Sequence, residues 1–170
     1  MKSGRILSRV IFLFVLVTIL AISGCVSSSS GPQFHQLNNP QKQICRIAVL
    51  PFVNTTEYVQ GDTFFYRIFI SELNRQGGFT LAHEGDVRRI FRQMKVNPKE
   101  IPSYEQTQVL ADRLGVDAII TGEIVAMADD ENVQETDPLL AVNLKLQAAG
   151  SNTLLMTTYH RRCGADYRKV

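Results

Sequence analysis

Cys25 ends the run Ile22-Ser23-Gly24-Cys25 and is the nucleophile whose neighbours prescribe a reaction. Lys2, Arg5 and Arg9 place positive charge ahead of it, and the 13 residues from Val10 to Ile22 are apolar except for Thr18. Small Ser23 and Gly24 follow. A basic region, an apolar region and a small-residue site, in that order, form a secretory signal with cleavage between Gly24 and Cys25. Two further cysteines, Cys45 and Cys163, would stand in an exported compartment that permits a disulfide. Whether they pair or remain two free thiols is open, because sequence does not give the Cα spacing. His35, His83 and His160 are too scattered for a zinc site and read as surface or capping histidines. Gly77-Gly78 follows a helical pattern instead of opening one, so it does not cradle a phosphate. No Gly-x-Ser-x-Gly elbow is present. Asp129, Asp130, Glu131, Glu135 and Asp137 lack the spacing of an EF-hand and read as a solvated loop. His160-Arg161-Arg162 with Arg168-Lys169 forms a basic cluster that suits phosphate head groups, an acidic partner or a solvated edge. No metal, cofactor or catalytic residue is expected.

The order around Cys25 resembles the lipobox of bacterial lipoproteins. In that motif the thiol is acylated, with palmitate among the acyl groups, and becomes the first residue of the mature chain. A transmembrane anchor is the competing reading, but it needs about 20 apolar residues, and this run is shorter. Val26 is not the Asp associated with inner-membrane retention in some bacteria, so the outer membrane is the expected address, with the domain facing the periplasm. Removing residues 1–24 leaves 15 basic against 16 acidic residues, a net charge of −1. A near-neutral chain has no electrostatic footprint for nucleic acid.

Residues 26–43 are dominated by Ser, Gly, Pro, Asn and Gln and bury too little apolar surface to offset their ordering entropy. They read, with Cys25, as a lipidated N-terminus and flexible tether over 25–43. Residues 26–43, 18 in number, reach about 60 Å when fully stretched. Residues 44–170 are long enough for one domain with one core.

Within that domain, Ile47 to Val53 is an apolar, β-branched run suited to a strand buried on both faces, weakened near Pro51. Gly61-Asp62 caps a helix to about Gln76, with Phe65, Ile68, Phe69 and Leu73 as its buried stripe. Phe79 to Ala82 is a short strand. Asp86 opens a second helix, and Ser103 with Gln106 has the spacing of a capping box for a third. Val116 to Ala126 is a strand in which Gly122 marks a bulge or a close backbone approach. Leu139 to Gln147 and Leu154 to Arg161 flank a turn at 148–152. The order β-α-β-α-α-β-β-β predicts an α/β (α+β) domain, a mixed five-stranded sheet flanked by helices. Asn54, Thr55 and Thr56 end a buried strand, where ligands often bind in such sheets, but no titratable groups converge there.

Ile47-Ala48-Val49-Leu50-Pro51-Phe52-Val53-Asn54-Thr55-Thr56 resembles the opening strand of curli secretion-channel type lipoproteins. Leu114-Gly115-Val116-Asp117, continuing to Gly122-Glu123-Ile124, resembles a later strand of the same proteins. Related folds are the penicillin-binding-protein activator lipoproteins, the Pel polysaccharide export lipoprotein and the N-terminal domain of TolB. The resemblance implies a non-enzymatic outer-membrane lipoprotein, a scaffold or accessory in envelope biogenesis or in export of a surface polymer or fibre. Its partners would be the membrane, through the lipid, and either an envelope protein or its own copies in a ring. The alternative reading is a tethered activator of a periplasmic cell-wall synthase, and a remote one is a periplasmic hydrolase. Two departures from the family are visible. Residues 127–137 are acidic and 148–152 form a tight turn, so neither makes a long membrane hairpin of 9–11 alternating residues per arm. The covering helix usual at the C-terminus does not follow the last strand, either because it is absent here or because the chain is a truncated form, and an exposed apolar sheet face is expected.

Overall fold

A computed structural model of the chain describes residues 33–40, 43–128, 139–151 and 153–163. Contacts divide the chain into units 1–30 and 31–170, and every described residue lies in the second. Cys25 and the signal segment therefore lie outside the described residues, as do the acidic loop at 129–138 and the C-terminal residues 164–170 where a covering helix was expected to be missing.

The unit is a mixed sheet with helices against both faces. Its strands are β1 (Gln33–Gln36), β2 (Arg46–Val49), β3 (Val53–Asn54), β4 (Thr80–Leu81), β5 (Ala118–Ala128), β6 (Leu139–Ala148) and β7 (Leu154–Cys163). Its helices are α1 (Gly61–Gln76), α2 (Glu84–Gln93) and α3 (Tyr104–Leu114). The sheet runs β1-β7-β6-β5-β2-β4, and β3 pairs with β5 beyond the end of β2. β2, β3 and β4 make the parallel pairs; β6, β7 and β1 add on antiparallel.

Among the described residues the sheet therefore has seven strands where five were expected. The first apolar run is split in two, because Pro51 cannot donate to the ladder. The last bond before it runs from Leu50 N–H to the Ile120 carbonyl, and pairing resumes at Val53. The other addition is β1, which lies in the segment expected to be tether. Gln33–Gln36 pairs with Tyr159–Met156 on the outer edge of β7.

Strand side chains alternate between faces, and the two faces bury different helices. Ile47, Val49, Ala118 and Ile120 meet Phe65, Tyr66, Phe69 and Leu73 of α1. Ala48, Leu50 and Ile119 meet Val87, Ile90 and Phe91 of α2 and Leu110, Ala111 and Leu114 of α3. Phe52 centres the first cluster, with its ring centroid 4.9 Å from Phe65 and 5.3 Å from Phe69. Its full burial contributes roughly 2–3 kcal/mol. Gly122 is what admits it: a Cβ there would stand 2.5 Å from Leu144 Cδ2 and 2.6 Å from Phe52 Cδ1. Of the two roles open to Gly122, close approach holds; the bulge of β5 falls between Ile124 and Ala126.

The helix ends follow local chemistry. Ser103 and Gln106 form the capping box, and Gly115 closes α3 in the left-handed region at φ 60°. Asp62 does not cap α1; Gln60 holds the cap position without a side-chain bond, and Asp62 sits in the first turn. There its charge faces the positive end of the helix dipole. α2 opens two residues before Asp86, because His83 Nδ1 accepts the Gly85 N–H at 3.2 Å. Ile68 was expected in the buried stripe of α1 but is exposed, and Tyr66 and Ile70 complete the inward face instead. The apolar side of β6 is not an open face: Leu144 and Leu146 pack into the Phe52 cluster and Val142 is buried.

Candidate functional site

The motif residues converge on the sheet itself. Asp117 Oδ2 accepts the N–H of Cys45 at 3.0 Å and of Arg46 at 2.9 Å. The Asp117 N–H donates to the Arg46 carbonyl, and the Asp117 carbonyl accepts from Ala149 N–H, both at 2.8 Å. Leu114-Gly115-Val116-Asp117 thus ends a helix, buries Leu114 and Val116, and locks the starts of β2 and β5 together with the β6–β7 turn.

Asn54, Thr55 and Thr56 are spent in the same way at the other end of the parallel strands. Asn54 Oδ1 accepts from Thr56 N–H at 3.0 Å and Thr56 Oγ1 at 2.7 Å, and its Nδ2 donates to the Tyr58 carbonyl at 2.7 Å. Thr55 N–H and Oγ1 both donate to the Ile124 carbonyl. This is an Asx-type turn that aims the chain into α1. Its polar atoms face protein partners and not a ligand.

The cysteines are far apart. Cys45 is an exposed free thiol at the start of β2. β5 and β6 separate β2 from β7, a span of about 14 Å. Cys163 pairs with Leu139 at the opposite end of the sheet, the full 10-residue length of β7 from Leu154. A disulfide needs Cα atoms within about 7 Å, and the register of β7 sets position 163 at the far end of the sheet from Cys45.

The three histidines lie on different elements. His83 caps α2, His35 lies in β1, and His160 Nε2 accepts from Arg162 Nε–H at 3.3 Å. No group of three or more His, Cys, Asp or Glu that could hold a metal occurs among the described residues. No described helix is long and apolar enough to cross a membrane.

None of the groups with perturbed ionisation lines either of the two hollows described below. Burial pushes the Tyr66 phenol up to about 12, with Glu84 adding to the shift and Arg88 opposing it. Hydrogen bonds from Arg75 and Gln76 hold Glu72 at about 2. Arg89 lowers Asp86, and Glu105 is lowered by backbone and Ser103 hydrogen bonds at the start of α3. These are helix-surface pairs and a supporting phenol.

What the surface does offer is a groove of about 390 Å³ beside α2, with Pro51, Phe91, Val96 and Pro98 as its floor and Arg88 and Arg92 on its rim. A larger hollow of about 510 Å³ lies among Asn38, Ile44, Asp112, Asp117 and the β6–β7 turn. On the other side of the sheet, Val59, Phe64 and Ile68 project from α1 and the loop before it. Sequence reading missed both the groove and this ridge. Phe64 and Ile68 at i, i+4, beside Phe65 and Phe69, were the available signal: they make α1 apolar on two sides.

No family model matches the chain, and no curated protein matches it. Solved structures do. Lipoprotein GNA1162 from Neisseria meningitidis is 16% identical over 71% of this chain and 85% of its own, with a TM-score of 0.60. The PelC dodecamer from Paraburkholderia phytofirmans is 14% identical over 79% and 82%, with a TM-score of 0.56. The LpoB C-terminal domain from Salmonella enterica is 11% identical over 70% and 82%, with a TM-score of 0.52. This chain shares their fold. The fold implied by the sequence resemblance is thus the fold observed. At these identities the likeness is one of architecture.

Proposed function

We propose that this protein is a non-enzymatic lipoprotein of the cell envelope. Acylated Cys25 holds it at the outer membrane, and its domain faces the periplasm as a scaffold or accessory in export of a surface polymer or fibre. The observation that carries this reading is the use of the motif side chains. Asp117 and Thr55 join strands, and Asn54 and Thr56 close the turn into α1, so the motif side chains serve the fold and leave the domain to act through its surface. The signal order before Cys25 and the fold shared with lipoprotein GNA1162 and the PelC dodecamer support it.

The anchor is tested in cells grown with labelled palmitate. The full chain is expected to carry label and to fractionate with the outer membrane, and Cys25→Ser to be unlabelled and released from it. A Cys25→Ser protein that stays membrane-bound and functional would end the anchored reading.

A further inference from the structure

The groove beside α2 opens where the central parallel strand ends. β2 stops at Val49, and Pro51, two residues on, lines the groove together with buried Phe91 and Val96 and exposed Pro98. Crevices at the carboxyl ends of parallel strands are where open sheets of this kind receive ligands. The groove encloses about 390 Å³, with an apolar floor and with Arg88 and Arg92 on its rim.

The charges around it do not balance. Residues 84–100 carry Arg88, Arg89, Arg92, Lys95 and Lys99 against Glu84, Asp86 and Glu100. Glu84 pairs with Arg88 at 2.6 Å, Asp86 pairs with Arg89 at 2.7 Å, and Glu100 accepts from Asn97 at 2.7 Å. Among the described residues, Arg92, Lys95 and Lys99 have no carboxylate partner. Arg88 also lies 5.8 Å from the Tyr66 ring centroid. Held on two sides, it is ordered before anything binds, which lowers the entropy cost of an occupant. Arg92 uses only its Nε, which donates to the Arg88 carbonyl at 3.4 Å. Its two terminal nitrogens have no acceptor among the described residues.

Lys95 is an independent sign. It is the sole described residue other than glycine with a positive φ, at 54°; Gly77, Gly78, Gly115 and Gly150 hold the other such positions. There it ends α2, so that the Val96 N–H reaches the Phe91 carbonyl at 3.0 Å and Val96 joins the groove lining. Glycine would take this conformation with less strain. A lysine there keeps a charge next to the groove against a conformational cost. We propose that the groove binds an extended acidic segment of a protein partner. One or two apolar side chains of that segment would rest on Phe91 and Val96, and a flanking carboxylate would meet Arg92. The occupant is acidic because three cations beside the groove lack carboxylates. It is a peptide segment because the apolar floor is recessed, where a side chain reaches and a flat layer of lipid head groups does not. The inference rests on the accessory reading and names the chemistry of its partner.

The probe is a blocked, dye-labelled Glu-Leu-Glu-Leu-Glu peptide, titrated with the full chain in non-ionic detergent and followed by fluorescence anisotropy. It is expected to bind with a Kd below about 1 mM, and its Gln-Leu-Gln-Leu-Gln counterpart at least about tenfold more weakly. Arg92→Glu is expected to weaken the acidic peptide at least about tenfold. Arg67→Glu makes the same charge change at an exposed site on α1, against the other face of the sheet, and should stay within about twofold of wild type. Lys95→Gly should raise the urea midpoint and yet weaken binding about threefold, a combination that a lysine serving only the helix end would not give. Absent binding of the acidic peptide, equal binding of the Gln counterpart, equal losses in Arg92→Glu and Arg67→Glu, or unchanged binding in Lys95→Gly would overturn the proposal. So would self-association of the chain that Arg92→Glu abolishes, which would give the groove to a second copy. Tighter binding of soluble short-chain phosphatidylglycerol than of the peptide would give it to lipid and would overturn the proposal as well. Membrane partition plays no part in this readout, so failure here and failure of the anchored reading are distinct results.

Discussion

One carboxylate oxygen joins two strands in this protein. Asp117 Oδ2 takes the N–H groups of Cys45 and Arg46, where the chain enters β2. An ionised acceptor makes such bonds shorter and stronger than a neutral one. Asp117→Ala leaves both donors to find water at the sheet end and is expected to cost about 2–3 kcal/mol. Urea unfolding checks it: the midpoint should fall at unchanged slope, and a midpoint equal to wild type would remove the clamp from the account. The sequence marks Asp117 and the Asn54–Thr56 triplet as special without saying for what. Residue type tells that a carboxylate or hydroxyl can bond, and only the register of β2 on β5 tells that its partners are backbone groups. The same limit applies to Cys45 and Cys163, whose pairing depended on a strand order that composition does not encode.

Among the elements, α1 carries the most strain between burial and exposure. Its Tyr66 hydroxyl donates to the Val49 carbonyl at 3.2 Å, at the edge that short β4 leaves uncovered. Burial raises the phenol from its ordinary 10 to about 12. A pKa raised on folding adds stability that is complete below pH 10 and lost as pH climbs through 12. Tyr66→Phe is expected to lower stability by about 1 kcal/mol at neutral pH and to flatten the alkaline decline. Urea midpoints measured from pH 8 to pH 12 decide it, and parallel declines in both proteins would contradict it. Glu72 is the contrasting case: its depressed carboxyl sits on a fully exposed pair with Arg75, where solvent screening leaves little effect on stability. The three helices were legible from their apolar period, and α3 to its cap, because Ser103 and Gln106 act within one turn. The inward side of α1 was less legible. Phe64, Phe65, Ile68 and Phe69 give it two apolar sides, and only packing on Phe52 selects between them.

For the whole molecule, the mixed sheet between helices follows from strand and helix order, but its outer edge does not. β1 reads Gln-Phe-His-Gln, with no apolar alternation, and joins β7 through backbone groups that every residue possesses. The Leu37 N–H donates to the Leu155 carbonyl at 2.9 Å. Successive N–H groups point in opposite directions along a strand, so that of His35 faces β7 as well. His35→Pro deletes this donor. Hydrogen exchange should then rise in peptides covering β1 and β7 while β5 stays protected; unchanged exchange in β1 would mean that it is not paired. Pairing at Gln33 also bears on the proposed tether, which could extend no further than the residue before β1. With Cys25 acylated as proposed, seven residues (26–32) span the gap in place of 18, and the maximum reach drops from about 60 Å to about 25 Å. The volume swept scales as the cube of that radius. The local concentration that one anchored domain presents to a membrane-bound target therefore rises roughly tenfold or more. On the anchored reading, a four-residue edge strand would act as a dose control, set by backbone hydrogen bonds and altered by any change that peels β1 from β7.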